Sequence, residues 1–241
     1  RTSVTNALGQ TTTLTYTAFG EALAITDARG GVTTNAYNRQ GQLVSTVDAE
    51  NYFTDYSYNN FGELSSQTRY YNKLNPTLTP DPSRDQTTSY QYDKLGRLIR
   101  VTDTLGNSEI YALNAWGQKV SVQNKLGGIT FNSYDKRGQL IAETLPVGSS
   151  NADGSARSGN IVNRFEYDAR GNRTKMIEAF GLIEQRTTSY RYDAGNRLIE
   201  KTSDTQRVTA SSTAQTNDGI ITETYAYDRR GNLIETRNAV G

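Results

Sequence analysis

A four-residue word, Asp/Asn-x-x-Gly, recurs along the whole chain and constrains its fold more than any other feature. Sixteen copies begin at Asn6, Thr17, Asp27, Asn38, Asp48, Asn59, Asp93, Asp103, Asn114, Asn124, Asp135, Asp168, Glu178, Asp193, Asp228 and Asn238. Only Thr17 and Glu178 depart from Asp or Asn at the opening position, and only Asn51 and Asn196 replace Gly at the close. A type I turn favours Asp or Asn first, where the side chain accepts backbone N–H groups, and a left-handed fourth residue favours Gly, then Asn. A type I turn followed by a left-handed residue is a standard hairpin connection. The closing residues Gly20, Gly41, Asn51, Gly62, Gly96, Gly117, Gly138, Gly171, Asn196 and Gly231 are therefore expected to be structural turn residues at positive φ.

Between turns lie alternately seven and six residues, as in Gln10 to Tyr16 and Glu21 to Thr26. These links are rich in Thr, Tyr, Val, Leu and Ile and have strand length, whereas a helix needs ten or more residues between breakers. An aromatic marker precedes every second turn: Tyr16, Tyr37, Tyr58, Tyr92, Tyr134, Tyr167, Tyr192 and Tyr227, with Leu113 in the ninth place. Six residues later stands Leu43, Leu64, Leu98, Leu140, Leu198 or Leu233, with Ala22, Lys119 and Arg173 in the other units. The basic unit is two strands in 21 residues. Period two places the residue two before each marker on the marker's face, and successive units are expected to stack aromatic on aromatic.

Three insertions break the period, near 66–85, 146–160 and 205–219. The first carries Pro76, Pro80 and Pro82 and reads as a loop or a long hairpin end. All three sit between repeats, the usual place for excursions from a repetitive scaffold. Residues 1–241 read as one repeat domain of about nine units. The pattern is cut at Arg1 and Gly241, so both ends are expected to be truncated.

Composition narrows the function. With His 0 and Cys 0, Cys/His zinc sites, disulfides and histidine-based catalytic dyads are excluded. The balance of 26 basic and 25 acidic residues gives no footprint for nucleic acid, and no apolar run is long enough to span a membrane as a helix. The acidic residues recur at equivalent turn positions, whereas a catalytic carboxylate should be singular, so no catalytic, cofactor or metal site is expected. One weak alternative is calcium at Asn151, Asp153 and Ser155, although calcium wants 6–8 oxygens. The apolar third positions Leu8, Phe19, Phe61, Leu95, Leu105, Leu126 and Phe180 suggest turns that are covered or pack on one another. Trp116, the single Trp, shares that position and is the candidate ligand contact.

The words Tyr92-Asp93-Lys94-Leu95-Gly96-Arg97-Leu98 and Tyr227-Asp228-Arg229-Arg230-Gly231-Asn232-Leu233, with Tyr134 to Leu140 and Tyr167 to Gly171, resemble the signature of the YD-repeat, or RHS-repeat, family. The resemblance implies a long β-ribbon wound into a hollow shell. Members include RHS polymorphic toxins, insecticidal toxin complexes and the adhesive teneurins. The expected fold is all-β: tandem antiparallel β-hairpin repeats forming a continuous winding sheet, an open or partial β-shell segment. The expected function is a non-enzymatic scaffold, secreted or on a bacterial cell surface. Its partner would be the remainder of the same polypeptide or an encapsulated toxin domain. The alternative is an extracellular adhesion module for carbohydrate or protein. The family's self-cleaving word, proline then Asp-Pro-x-Gly, is missing: Asp81-Pro82-Ser83-Arg84 lacks the Gly.

Overall fold

The computed structural model describes residues 2–145, 159–182, 185–207 and 216–240. Among them the regular structure is all strand, with no helix. The strands are β1 (Ser3–Thr5), β2 (Thr11–Tyr16), β3 (Ala22–Thr26), β4 (Val32–Tyr37), β5 (Leu43–Val47), β6 (Tyr52–Tyr58), β7 (Leu64–Lys73), β8 (Gln86–Tyr92), β9 (Leu98–Thr102) and β10 (Ser108–Leu113). They continue with β11 (Lys119–Gln123), β12 (Ile129–Tyr134), β13 (Leu140–Leu145), β14 (Ile161–Tyr167), β15 (Arg173–Glu178), β16 (Arg186–Tyr192), β17 (Leu198–Arg207), β18 (Thr216–Tyr227) and β19 (Leu233–Val240).

The chain forms two compact units, Arg1–Tyr111 with Asn124–Leu126, and Ala112–Gln123 with Gly127–Gly241. In the first, β1 to β9 and the start of β10 each pair antiparallel with the next strand. In the second, β11 to β19 do the same. The turns have one construction. At Asp135, Oδ1 accepts the N–H groups of Arg137 and Gln139, 2.8 and 2.9 Å away. The Asp135 N–H donates to Gln139 O, and Gly138 N–H donates back to Asp135 O. Thr17 repeats the arrangement with its hydroxyl oxygen, which is why a Thr can open a turn.

Two of the sixteen words are not such turns. Glu178 ends β15 and pairs with Arg186, and the turn slides one residue on, to Ala179 at φ 50°. Asn163 Oδ1 accepts the Ala179 N–H, and Phe180 N–H donates to Val162 O, so the neighbouring strand pins the shifted turn. Asn238 lies within β19 opposite Glu223, because β18 is long enough to keep pairing with it.

The insertions lengthen hairpins. β7 runs ten residues, through Lys73, so the irregular part of the first insertion is 74–85. β17 and β18 extend to Arg207 and from Thr216, with 208–215 outside the described residues. Most of the second insertion, including Asn151, Asp153 and Ser155, also lies outside them.

Few side chains are deeply covered: among the described residues Tyr111, Phe165, Asp85 and Asn163 are the buried ones. Cohesion must therefore come from ladder hydrogen bonds and half-buried Tyr and Thr side chains. Of the third-position residues expected to be covered only Phe180 is, at 37% exposure with the Arg164 guanidinium 3.6 Å from its ring centroid. Leu8, Phe19, Phe61, Leu95, Leu105, Trp116 and Leu126 are all at least 75% exposed. The third turn position lies beyond the last cross-strand pair, so nothing in the same hairpin can cover it.

Candidate functional site

The marked turns, those preceded by an aromatic marker, have a backbone of their own. Each marker tyrosine pairs directly with the residue six further on: Tyr16 with Ala22, Tyr37 with Leu43, Tyr58 with Leu64 and Tyr92 with Leu98. Tyr134, Tyr167, Tyr192 and Tyr227 pair likewise with Leu140, Arg173, Leu198 and Leu233. In all eight hairpins the register shifts one residue before the marker, leaving Leu23, Val44, Ser65, Ile99, Ile141, Thr174, Ile199 or Ile234 as the extra, bulged residue. The plain hairpins β1–β2, β3–β4, β5–β6, β9–β10 and β11–β12 keep an unbroken register.

The marker hydroxyls join one unit to the one before it. Tyr37 donates to Ala22 O, Tyr58 to Leu43 O and Tyr92 to Leu64 O. Tyr134 donates to Lys119 O, Tyr167 to Leu140 O, Tyr192 to Arg173 O and Tyr227 to Leu198 O, and all seven bonds span 2.8–3.0 Å. Six of the seven acceptors are partners of the preceding marker tyrosine, and the seventh, Lys119, stands six residues after Leu113. The ladder to the next strand stops short of it, for instance at Ala142–Arg164 while Leu140 lies two residues beyond. The hydroxyl thus satisfies a carbonyl that the ladder leaves over. Because only the main chain is needed there, the side chain is free to be Ala22, Lys119 or Arg173.

This corrects the expected stacking of marker on marker. Successive markers stand on alternate strands, about 9.6 Å apart at twice the strand spacing. Ring pairs interact at about 4.5–7 Å. A Tyr ring laid across the intervening strand reaches that strand's carbonyl instead. Burial pushes the hydroxyls of Tyr58, Tyr92, Tyr167 and Tyr192 above the ordinary tyrosine range, which keeps them protonated donors.

After three of the marked turns the next residue, a glutamine, adds a second connection. Gln42 Nε2 donates to Gly62 O at 2.9 Å, Gln118 Nε2 to Gly138 O at 2.8 Å and Gln139 Nε2 to Gly171 O at 3.3 Å. The eight named turn glycines lie at φ 75–93°, with Asn51 at 67° and Asn196 at 63°. A Cβ on Gly138 would stand 3.0 Å from Gln118 Nε2, and one on Gly62 would stand 3.2 Å from Gln42 Nε2. At the plain turns, a Cβ on Gly9, Gly30, Gly106 or Gly127 would meet nothing within 4 Å. Asn196 fits a marked turn because the facing residue is the shorter Asn172, whose Nδ2 donates to Asn196 Oδ1 at 3.0 Å.

The same residue complements its own turn opener. Asn38, Asn59 and Asn114 donate Nδ2 to Gln42, Glu63 and Gln118. Asp93 and Asp193 instead accept from the Arg97 and Arg197 guanidinium groups at 2.7 Å, and Asp168 and Asp228 accept from Asn172 and Asn232. Amide openers thus meet acceptors and carboxylate openers meet donors. This correlation is legible in the residues themselves, as a pairing of each opener with the residue four further on. Those donors hold Asp93, Asp168 and Asp228 below the usual carboxylate range, while for Asp193 the Arg197 N–H leads and its guanidinium follows.

Trp116 lies open at the rim of a recess of about 230 Å³ shared with Gln118, Asp135, Lys136, Arg137 and Gly138. Gln40, Gln42, Asn59, Asn60, Phe61 and Gly62 line a larger recess, of about 560 Å³, between the equivalent turns of the other unit. Such hollows therefore belong to the repeat, and the Trp is what distinguishes one of them. Among the described residues no three His, Cys, Asp or Glu side chains gather as a metal site, and no helix is long and apolar enough to cross a membrane.

The sequence profile of the teneurin YD-shell matches residues 71–239, and that of the RHS repeat matches residues 1–32 and 37–70. The double-stranded DNA deaminase toxin A of Burkholderia cenocepacia (strain H111) is 29% identical over 158 residues, 60% of this chain and 11% of that protein. The TcdB2–TccC3 crystal structure aligns with 99% of this chain and 16% of that one, at 18% identity and a TM-score of 0.49. The Photorhabdus luminescens Tc holotoxin pore aligns with 99% of this chain and 15% of its own, at 19% identity and a TM-score of 0.46. The chain thus spans 11–16% of the length of these relatives.

Proposed function

Because this chain belongs to the teneurin YD-shell and RHS-repeat family, we propose that it is a non-enzymatic section of a protein shell that encloses another polypeptide, such as a toxin domain. The observation that carries this reading is where the repeated polar groups go. Marker hydroxyls serve the preceding unit's main chain, and opener oxygens serve their own turn's amides. Such chemistry builds a wall. The two compact units act together as one repeat domain, secreted or displayed on a bacterial surface. Similarity to a protein named as a double-stranded DNA deaminase toxin, of which this chain covers 11%, supports the reading of a shell within a toxin polypeptide.

The test is protease protection in a polypeptide that carries this chain with its natural flanking sequence. A flanking domain inside the shell resists cleavage until the repeats melt, and both then become sensitive together. Cleavage of that domain at its free rate, with the repeats intact, would overturn the proposal. The second reading, a carbohydrate- or protein-binding adhesion module, draws on exposed Trp116 alone. It requires saturable binding that Trp116→Ala abolishes.

A further inference from the structure

We propose that the recess lined by Tyr52, Arg69, Tyr70, Tyr71, Arg84 and Gln86 binds a compact oxyanion of carboxylate or phosphate type between two guanidinium groups. It arises where the repeat is broken. Tyr52, Arg69, Tyr71 and Gln86 come from regular strands, while Arg84 belongs to the irregular part of the first insertion. Pairing places Arg69 directly opposite Gln86, and Tyr52 opposite Lys73. Period two along β7 puts Arg69, Tyr71 and Lys73 on one face. The other face is closed by its own contacts: Phe53 packs on Tyr70 at 5.6 Å, and the Tyr70 hydroxyl donates to Asp55.

The recess is held in shape from below. Asp85 is buried, and its two carboxylate oxygens accept the Tyr71 and Asp81 N–H groups at 2.9 and 2.8 Å. That clamp ties the turn bearing Arg84 to β7. Each guanidinium is steadied by a ring, Arg69 at 5.4 Å from the Tyr52 centroid and Arg84 at 4.8 Å from that of Tyr71. Lys73 adds a third cation, 5.1 Å from the Tyr52 ring.

Each guanidinium has one acidic neighbour, Asp48 or Asp81, whose Oδ1 is committed to its own turn. Asp48 Oδ1 accepts the Glu50 and Tyr52 N–H groups, and Asp81 Oδ1 accepts from the N–H and hydroxyl of Ser83. Their other oxygens form long ion pairs, 3.6 Å from Arg69 and 3.8 Å from Arg84, outside hydrogen-bond reach. Among the described residues, then, neither guanidinium donates a hydrogen bond to the protein. No acid lines the recess, and about 210 Å³ suits a small anionic head rather than an extended ligand. Paired N–H forks on two arginines are the donor arrangement that carboxylate and phosphate accept bidentately.

Calorimetric titration of the full chain at low salt, with inorganic phosphate and separately with succinate, tests this. Saturable binding of either anion over chloride is expected, and the anion that binds identifies the source. Arg69→Gln and Arg84→Gln should each weaken it at least about tenfold, by loss of a charge-assisted pair. Arg84→Lys should fall between, keeping charge but not the fork. Arg230→Gln, on a turn of the other unit, should match the parent. All these side chains are exposed, and unchanged melting temperatures will show that the variants fold. Binding no better than chloride, or a double Gln variant that binds like the parent, would overturn the proposal.

Discussion

The marked and the plain hairpins close with the same four-residue turn, yet only the marked ones bulge, carry a tyrosine that reaches the preceding unit, and press a side chain against the next turn's glycine. At Gly106 the backbone alone asks for glycine, through φ 83°. At Gly138, with the same φ, the Gln118 amide adds a second demand from outside. A single consensus letter thus has two physical origins. One end of each strand pair is a local turn, and the other is a junction between repeats.

The largest effect should come from deleting Gly138. The following strand would slip by one residue and its side chains would change face, so the melting temperature should fall further than for any substitution there. Gly138→Val should follow, with about 1–3 kcal/mol of backbone strain plus the displacement of Gln118. Gly106→Val should cost the strain alone. Asn should rescue position 106 well and position 138 poorly, since Gln118 occupies the space that a side chain needs. Equal losses at the two sites, read by thermal denaturation, would dissolve the distinction between turn and junction.

Next in size is the hydroxyl. Tyr167→Phe leaves the Leu140 carbonyl without its donor, at a cost of about 1–2 kcal/mol. Tyr190→Phe, two residues before a marker, should cost almost nothing. Similar losses for both would mean that ring burial, and not the bond, holds the units together.

Acid should act on the marked turns unevenly. Asp168, Asp193 and Asp228 have depressed carboxyl pKa values, so their contribution is fully present above the unfolded value near 3.8 and is lost as pH falls through the lower folded values. The marked turns opened by Thr17, Asn38, Asn59 and Asn114 have no carboxyl opener to protonate. Hydrogen exchange between pH 5 and about pH 2.5 should therefore show the turns at 168, 193 and 228 loosening before those at 38 and 59. Uniform loosening would assign the acid response to net charge instead.

The smallest effect concerns two equivalent asparagines. The Thr46 hydroxyl donates to Asn35 Oδ1, whereas Asn132 faces Glu143, and its covered Oδ1 has no partner. Glu143→Gln supplies the missing N–H and keeps an oxygen for Asn163, which now donates to Glu143. A gain of about 0.5–1 kcal/mol is expected, and a loss on calorimetry would contradict this account.

Much of the fold was legible because turn chemistry and strand period are local properties. Asp93 and Gly96 announce their turn within four residues. The bulge beside Tyr134 leaves no mark, since Ile141 looks like any strand residue, and only pairing exposes it as the extra one. The hydroxyl-to-carbonyl path was hidden for the same reason: its acceptor is main chain, which every residue has. Glu178 and Asn238 misled because a neighbouring strand overruled the local word. The two-arginine recess was unreadable, since it joins Tyr52 to Arg84 across a hairpin whose reach depends on how far β7 continues.

The acceptors at each junction have an evolutionary consequence. A tyrosine grips a preceding main-chain carbonyl, and a glutamine grips the carbonyl of the next turn's glycine. The tyrosine does not ask what side chain stands on its partner, and the glutamine asks only that its partner be glycine. A copy of the unit made by duplication, or brought in by recombination, would meet acceptable neighbours at once and need no compensating change. Such a lineage can lengthen or shorten its array in single genetic steps, while its sequence drifts everywhere except at the few positions that do the gripping.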